Sequence, residues 1–312
     1  MRVLFAGTPL IAVPSLEALA AASHDVVGVL TAPDRRRGCG KQVSYPPVKE
    51  RALELGLPVI QPETLRGEAR EQVSALDPEL LACFAYGKIF GPRFLALFDR
   101  GALNVHPSLL PRYRGPAPIP AAILSGDPET GVTIQEMAEE MDAGAVYAQA
   151  RIPLTGEETS ETLGIRAADV GAALLVDVVD RVQADAVAPR PQDESQATYT
   201  KLVEKEDGRI DWSRPAAEIE RMVRAYTPWP HAFTSFHGER LAILEAAPAD
   251  RASAQATPGR VLRVDTSNGI LVETGNGLLA LRKLQLQSRK PLDWKSFLNG
   301  VQDFVGAVLG GS

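Results

Sequence analysis

The feature that most constrains the fold is a regular alternation of short apolar runs and helical stretches. Apolar runs occupy residues 3–6, 26–30 and 80–84, and helical patterns separate them at residues 14–22 and 47–55. Short strands that are apolar on both faces are typical of a buried parallel sheet. Strand–helix alternation joins such strands by right-handed crossovers. The pattern therefore predicts an α/β fold with a Rossmann-like, open and mostly parallel sheet.

The loops at one edge of this sheet are the expected place for chemistry. A further strand is predicted at residues 102–105. Ligands of open parallel sheets bind beyond the carboxyl ends of the strands. We therefore expect functional side chains in the loops that follow Ala6, Phe84 and Val105.

The second half of the chain has a different pattern. A long helix is expected at residues 160–182, and the stretch PRPQDESQATYT beyond it has no apolar period, which is typical of a linker. About five short apolar runs then alternate with Gly-rich turns, which predicts a small OB-like β-barrel. We expect a catalytic domain over residues 1–189, a linker over 190–207 and a second domain over 208–312.

Asn104 and His106 lie two residues apart where the strand predicted at residues 102–105 ends. Residues i and i+2 of a strand point to one face, so an amide and an imidazole would face the same cleft. Such a pair suits acyl transfer, because both groups can donate to an oxygen that becomes negative in the transition state. Asp142 is the candidate to orient and charge the imidazole. Each residue alone also has a structural interpretation, as a turn former or a satisfied polar group.

The run LNVHPSLLPRYRGPAPI resembles the signature of folate-dependent formyltransferases. Similar motifs occur in the same order elsewhere: FAGTP, TAPDRRRGCGK, ACFAYGKI and GVTIQEMAEEMDAGAV. The resemblance implies that Asn104, His106 and Asp142 are catalytic. It also implies that 10-formyltetrahydrofolate is consumed as a co-substrate, with no tightly bound cofactor and no metal. The implied folate site has two segments: Ser108, Leu109, Leu110 and Pro111, and Phe84, Ala85, Tyr86 and Gly87.

The second domain indicates which acceptor is used. RIDWS at residues 209–213 and AYTPWP at residues 225–230 resemble the carboxyl-terminal domain of methionyl-tRNA formyltransferases, an OB-like barrel that holds tRNA. The likeness implies charged initiator tRNA as the partner. In that family a basic, glycine-bearing loop enters the acceptor stem, and its counterparts here are Arg35, Arg36, Arg37 and Lys41. This chain has Cys39 where the family usually has an arginine, so Arg36 or Arg37 would supply the charge, or the loop would sit differently.

Charge and composition limit the classes of protein. The net charge of −6 argues mildly against a nucleic-acid partner, but residues 208–312 carry 13 basic and 10 acidic side chains against 20 and 29 in residues 1–207. Such asymmetry indicates an anionic partner. Two cysteines are too few for a disulfide framework or a four-cysteine zinc site. No secretory signal is visible, and no run reaches the roughly 18 apolar residues that span a bilayer. We expect a cytoplasmic monomer without membrane contact.

Other interpretations remain open. The same catalytic residues would serve a formyltransferase with a sugar-nucleotide or nucleotide acceptor, or a formyltetrahydrofolate hydrolase; the tRNA-type second domain speaks against these. A dinucleotide-dependent enzyme is disfavoured because no GxGxxG follows the first strand. We expect Trp229, in its Pro-Trp-Pro run, to pack in a core, with a base contact as the alternative.

Overall fold

A computed structural model describes residues 1–37, 42–249 and 257–310, which form two compact units. The first unit comprises Met1–Pro118, Glu129–Pro153 and Gly164–Thr200. The second unit comprises Ile119–Pro128, Leu154–Leu163 and Lys201–Ser312. Each unit has its own sheet and its own hydrophobic core.

The first unit is built on a seven-stranded sheet with the order β5-β2-β1-β6-β7-β8-β9. Its strands are β1 (Arg2–Gly7), β2 (Asp25–Leu30), β5 (Val59–Ile60), β6 (Leu80–Phe84), β7 (Ala102–His106), β8 (Glu129–Glu136) and β9 (Val146–Pro153). The helices up to residue 183 are α1 (Val13–Ala21), α2 (Pro47–Glu54), α3 (Glu68–Ser74), α4 (Pro92–Leu95), α5 (Pro118–Ser125) and α6 (Ser160–Gln183). The neighbouring strands β5, β2, β1, β6 and β7 pair in parallel. The strand β8 pairs antiparallel with β7, and β9 pairs antiparallel with β8.

Apolar residues on both faces explain why these strands lie in the middle of the unit. All five residues of β6 are buried, as are all but the first residue of β1. The long helix α6 lies close to the sheet at Gly171, where an added Cβ would be 2.9 Å from Val105 Cγ1. A glycine at this position allows the helix to pack closely against β7.

A short β-hairpin lies apart from the main sheet. Its strands β3 (Arg35–Arg37) and β4 (Gln42–Ser44) pair in antiparallel fashion. At the start of the hairpin, the Asp34 carboxylate accepts hydrogen bonds from Gln61 Nε2 at 2.7 Å and Lys49 Nζ at 2.6 Å. These bonds lower the pKa of Asp34 and attach the first arm of the hairpin to the unit.

The second unit is an antiparallel β-structure with helices beside it. Its strands are β10 (Ala232–Phe236), β11 (Glu239–Ala249), β12 (Val261–Asp265), β13 (Gly269–Glu273), β14 (Leu278–Leu286) and β15 (Leu292–Asp293). They pair in the order β10-β11-β14-β13-β12, and β15 pairs with β14. Helices α7 (Ala216–Ala225) and α8 (Trp294–Gly300) add apolar side chains to the core. In that core, Trp212 Nε1 donates to Thr234 Oγ1 at 3.0 Å, so the buried indole N–H is satisfied.

The structure confirms the predicted α/β class, with an open and mostly parallel sheet followed by a separate antiparallel β-structure. The core packing expected for Trp229 is wrong, because 58% of this residue is exposed. Trp229 lies in the turn between α7 and β10, and connecting segments of this kind run over the surface. No helix in the described part of the chain is both long and apolar enough to cross a membrane.

The segment that follows α6 is hydrogen-bonded to the first unit. Val146 and Arg190 exchange both backbone hydrogen bonds, at 2.7 and 2.9 Å. Further on, Arg114 N donates to Thr198 O at 2.8 Å, and Thr200 N donates to Arg114 O at 2.7 Å. Residues 190–200, which the sequence pattern assigns to a linker, therefore run beside β9 and the loop that follows β7.

Candidate active site

Asn104 and His106 lie at the carboxyl end of β7, in register with Gln135 and Thr133 of β8. Their side chains converge on one carboxylate oxygen, Asp142 Oδ1. Asn104 Nδ2 lies 3.5 Å from this oxygen and His106 Nδ1 lies 3.6 Å from it. The structure therefore brings the three predicted catalytic residues into one cluster.

The Asp142 carboxylate is held on both oxygens. Gln135 Nε2 donates to Oδ1 at 2.8 Å, and the Gly115 backbone N–H donates to Oδ2 at 2.8 Å. Asp142 has a φ of 54°, in the left-handed region that non-glycine residues rarely occupy. Two residues later, an added Cβ on Gly144 would lie 1.8 Å from the carbonyl oxygen of Glu136, so only glycine fits there. The turn Asp142–Gly144 thus has a backbone shape that directs the carboxylate to the end of β7.

The imidazole of His106 is almost fully buried. Burial lowers the pKa of His106, and the Asp142 carboxylate and the Tyr113 carbonyl act in the opposite direction. His106 Nε2 lies 2.9 Å from Tyr113 O, which can only accept, so Nε2 carries the proton of the neutral ring. Nδ1 is then the nitrogen that is open to take up a proton, and Asp142 faces it.

The first predicted folate segment is held rigidly from β8 and β9. Thr133 Oγ1 donates to Ser108 O at 2.7 Å and accepts from Leu110 N at 3.1 Å. Gln149 Nε2 donates to Leu110 O at 2.8 Å, and Ser108 Oγ donates to Arg112 O at 2.7 Å. Ser108 and Leu110 are buried, whereas Leu109 and Pro111 are half-buried.

The second predicted folate segment presents backbone rather than aromatic rings. Phe84 and Tyr86 are buried, and the Tyr86 ring stacks on Phe90 with centroids 5.3 Å apart. Ala85 and Gly87 are exposed, and both have positive φ angles. A ligand at this edge of the sheet would therefore meet main-chain groups of this turn.

The predicted tRNA-binding residues are described only in part. Arg35 is exposed at the start of β3. The backbone of Arg36 and Arg37 continues that strand. Lys41 and Cys39 lie outside the described residues. The hairpin strands β3 and β4 form a two-stranded sheet of their own, apart from the seven-stranded sheet that carries Asn104 and His106.

Several residues of the site were missed from the sequence. Gln135 is 2% exposed in β8, where it lies between Ile134 and the end of the strand, and a glutamine beside an apolar strand residue is a signal that could have been read. Arg114 is fully buried and pairs with Glu194, 80 residues further along the chain. Gln192 contacts the turn that bears Asp142. No local pattern marks Arg114 or Gln192. In the described part of the chain, no group of three or more His, Cys, Asp and Glu residues could hold a metal ion.

Comparison with known families matches both halves of the chain. The formyl transferase model matches residues 1–179, and the model of the formyl transferase C-terminal domain matches residues 202–302. The solved structure of HypX from Aquifex aeolicus in complex with tetrahydrofolic acid shares the fold, with a TM-score of 0.67 and 19% identity. The match covers 98% of this chain and 48% of the HypX chain, so this chain spans about half of that protein. Fold and family matches together define a formyl transferase.

Two relatives narrow the assignment. The methionyl-tRNA formyltransferase of Treponema denticola is 47% identical, with 98% of each chain covered. The methionyl-tRNA formyltransferase of Treponema pallidum is 50% identical, with 99% of each chain covered. At this identity over nearly the full length, the chain belongs to the methionyl-tRNA formyltransferase family.

Proposed function

We propose that this protein transfers the formyl group of 10-formyltetrahydrofolate to the amino group of methionyl-initiator tRNA. The observation that carries the catalytic part is the convergence of Asn104 and His106 on Asp142 at the end of β7. The family to which the chain belongs supports the donor and the acceptor. The formyl donor is consumed as a co-substrate, and the product is N-formylmethionyl-tRNA for the initiation of translation.

In the proposed reaction the methionyl amine attacks the formyl carbon. A C–N bond forms to the amine, and the bond from the formyl carbon to folate N10 breaks. The attacked oxygen becomes negative in between. Asn104 Nδ2 donates to it, and His106 donates to it through Nδ1 once that nitrogen has taken up a proton. A donor already aimed at such an oxygen lowers the barrier by roughly 3–4 kcal/mol.

The proton that the amine loses must reach folate N10. The Nδ1 of His106 is the site that can take it up, because Nε2 already carries a proton that faces Tyr113 O. Once the ring is charged, Asp142 at 3.6 Å stabilises it. An α-amino group has an ordinary pKa near 8, so a neutral, nucleophilic fraction exists at pH 7.

The substrates are assigned to separate parts of the chain. We assign the folate to Ser108–Pro111 together with the turn Phe84–Gly87, which both adjoin the carboxyl edge of the sheet. We assign the acceptor stem to the hairpin that bears Arg35, Arg36, Arg37 and Lys41, since these cations suit phosphate groups. Residues 1–189 then form the catalytic domain, residues 190–207 the connection and residues 208–312 a tRNA-binding domain. The protein acts as a monomer in the cytoplasm, where initiator tRNA is charged and used.

The test is a formyl-transfer assay with labelled 10-formyltetrahydrofolate and, side by side, charged initiator tRNA, charged elongator methionine tRNA and uncharged initiator tRNA. We expect label on charged initiator tRNA, and far less on the other two. Label released as formate, or transfer to a nucleotide or sugar nucleotide but to no tRNA, would overturn the proposed acceptor.

Three variants test the catalytic residues in the same assay. Asn104→Ala, His106→Ala and Asp142→Ala should each lower kcat on the order of 100–1,000-fold, with an unchanged far-ultraviolet circular dichroism spectrum. Asp177→Ala is the matched control for Asp142→Ala, because Asp177 is an exposed carboxylate on α6 that pairs with Arg181. Turnover near that of the unmutated protein in all three variants would rule out the catalytic assignment.

A further inference from the structure

The turn that bears Asp142 is held from behind by one side chain. Gln192 Nε2 donates to the backbone oxygen of Asp142 at 2.8 Å and to that of Gly144 at 2.8 Å. These two short bonds use the two amide hydrogens of Gln192, and Nε2 also lies 3.4 Å from Gln135 Oε1. They hold both ends of a turn whose first residue has a left-handed backbone, a conformation that costs about 1–2 kcal/mol for a non-glycine residue.

Gln192 is itself oriented by a buried cation. Its Oε1 accepts from Arg114 Nε at 3.1 Å and from Arg114 Nη2 at 2.9 Å. A guanidinium only donates, so it fixes the oxygen of the amide towards Arg114 and the nitrogen towards the turn. Glu194 accepts from Arg114 Nη1 at 2.8 Å and Nη2 at 2.6 Å, and Tyr199 Oη accepts from Nη1 at 3.1 Å. These contacts use all five N–H groups of a side chain that is fully buried.

The residue after this arginine closes the arrangement. Gly115 donates its backbone N–H to Asp142 Oδ2 at 2.8 Å. Asp142 is therefore held in two ways from this segment. Gly115 donates to its carboxylate, and Arg114 orients Gln192, which donates to its backbone oxygen. The segment that carries Gln192 and Glu194 lies about 50 residues beyond Asp142 in the sequence, so only tertiary packing joins them.

We propose that Gln192 is a positioning residue for the formyl-transfer reaction: oriented by Arg114, it holds the backbone of Asp142 so that the carboxylate faces His106 and Asn104. This inference rests on the proposed function of the same site. It assigns Gln192 and its partner Arg114 a role in the catalytic site.

The substitution Gln192→Glu separates this role from simple packing. Glutamate has nearly the shape of glutamine and keeps an acceptor for Arg114. It has no hydrogen to donate, so it places a negative oxygen beside the carbonyls of Asp142 and Gly144. The turn should move away, and a displacement of about 1 Å at a catalytic group costs on the order of 100-fold in rate.

The matched control is Gln196→Glu, the same chemical change four residues further on. Gln196 is exposed and donates only locally, to Asp193 Oδ2 at 2.7 Å. In steady-state assays we expect Gln192→Glu to lower kcat on the order of 100-fold, with KM for the folate and the tRNA within about twofold. Gln196→Glu should match the unmutated protein. A Gln192→Glu variant with unchanged kcat, or one whose loss lies in KM alone, would overturn the inference.

A double-mutant cycle tests whether Gln192 acts through Asp142. In an Asp142→Ala background, adding Gln192→Glu should change the residual kcat by less than about twofold, because the carboxylate to be positioned is gone. A loss as large as in the parent background would show a general structural role and refute the inference.

A crystal structure of the Gln192→Glu variant keeps the two proposals distinguishable, because it needs no activity. We expect the Asp142 carboxylate to leave its 2.8 Å contact with Gly115 N. An unmoved turn refutes the positioning role even if formyl transfer is established. A moved turn supports the positioning role, and absence of formyl transfer by the unmutated protein would then count against the proposed function alone.

Discussion

The hydroxyl of Thr133 is the junction that holds the predicted folate segment, and Thr133→Val removes only that group. Thr133 is fully buried on β8. Its Oγ1 donates to Ser108 O at 2.7 Å and accepts from Leu110 N at 3.1 Å and Gln149 Nε2 at 2.9 Å. Valine has almost the same shape, so the substitution isolates these three hydrogen bonds.

The expected loss of stability follows from the partners that remain. A buried polar group left without a partner costs about 1–3 kcal/mol. Gln149 retains its bond to Leu110 O, so it loses least. Ser108 O and Leu110 N are left unpaired by the change at Thr133. The added methyl group offsets about 0.8 kcal/mol. We therefore expect the first unit to lose about 1–5 kcal/mol of its free energy of unfolding.

Urea denaturation is the appropriate assay, and the quantity to measure is the urea midpoint at which the first unit unfolds. With a slope of about 2 kcal/mol per molar urea, the midpoint should fall by roughly 0.5–2.5 M. Thr130→Val is the matched control, because Thr130 is a buried threonine of the same strand outside this cluster. Equal midpoints for the two variants would refute the argument that the Thr133 hydroxyl holds the segment. We also expect KM for the folate to rise in Thr133→Val and not in Thr130→Val.

Two further predictions concern a steric clash at Gly144 and the titration of Glu158. Gly144→Ala should lower kcat at least tenfold, because the new Cβ would clash with the Glu136 carbonyl oxygen. Gly91→Ala is the control and should leave kcat unchanged, because there is open space around Gly91. Equal kcat values for the two variants would contradict this prediction. Burial acts to raise the pKa of Glu158, but hydrogen bonds from Thr155 and its neighbours outweigh it and lower the pKa to about 2. Because the pKa is lowered on folding, the ionised carboxylate stabilises the fold fully above about pH 4.5, the ordinary pKa of the group. Glu158→Gln should therefore lower Tm at pH 7, and the difference in Tm between the variant and the unmutated protein should shrink as the pH falls towards 2. A difference in Tm that stays constant with pH would refute this prediction.

Much of the architecture could be read from local patterns. The strands β1 and β6 match the apolar runs at residues 3–6 and 80–84 to within one residue at each end, because short runs that are apolar on both faces are typical of buried parallel strands. The short helices α3 and α5 were missed. Helix α3 has seven residues and few apolar ones, and α5 carries two prolines in its first three residues, so neither shows a clear helical period.

The three catalytic residues could be predicted from the sequence, whereas the partner of Gln135, which holds Asp142, could not. Asn104 and His106 share a face because residues i and i+2 of any strand do. Asp142 was a candidate because it precedes a turn of small residues, and the resemblance supported it. Gln135 occupies a strand position whose side chain points inward, where a polar residue needs a partner. The sequence does not show that this partner is Asp142 Oδ1.

What the sequence alone determined is therefore the class of fold, the edge of the sheet where chemistry takes place and the residue types that meet there. The class of fold and the edge follow from short runs that are apolar on both faces and from their alternation with helical stretches. The shared face of Asn104 and His106 follows from side-chain alternation within a single strand. Only the tertiary structure decided that Arg114, Gln192 and Glu194 lie behind the Asp142 turn. Arg114 and Gln192 are 78 residues apart, and contacts over such a distance depend on how whole elements pack, which no local period encodes.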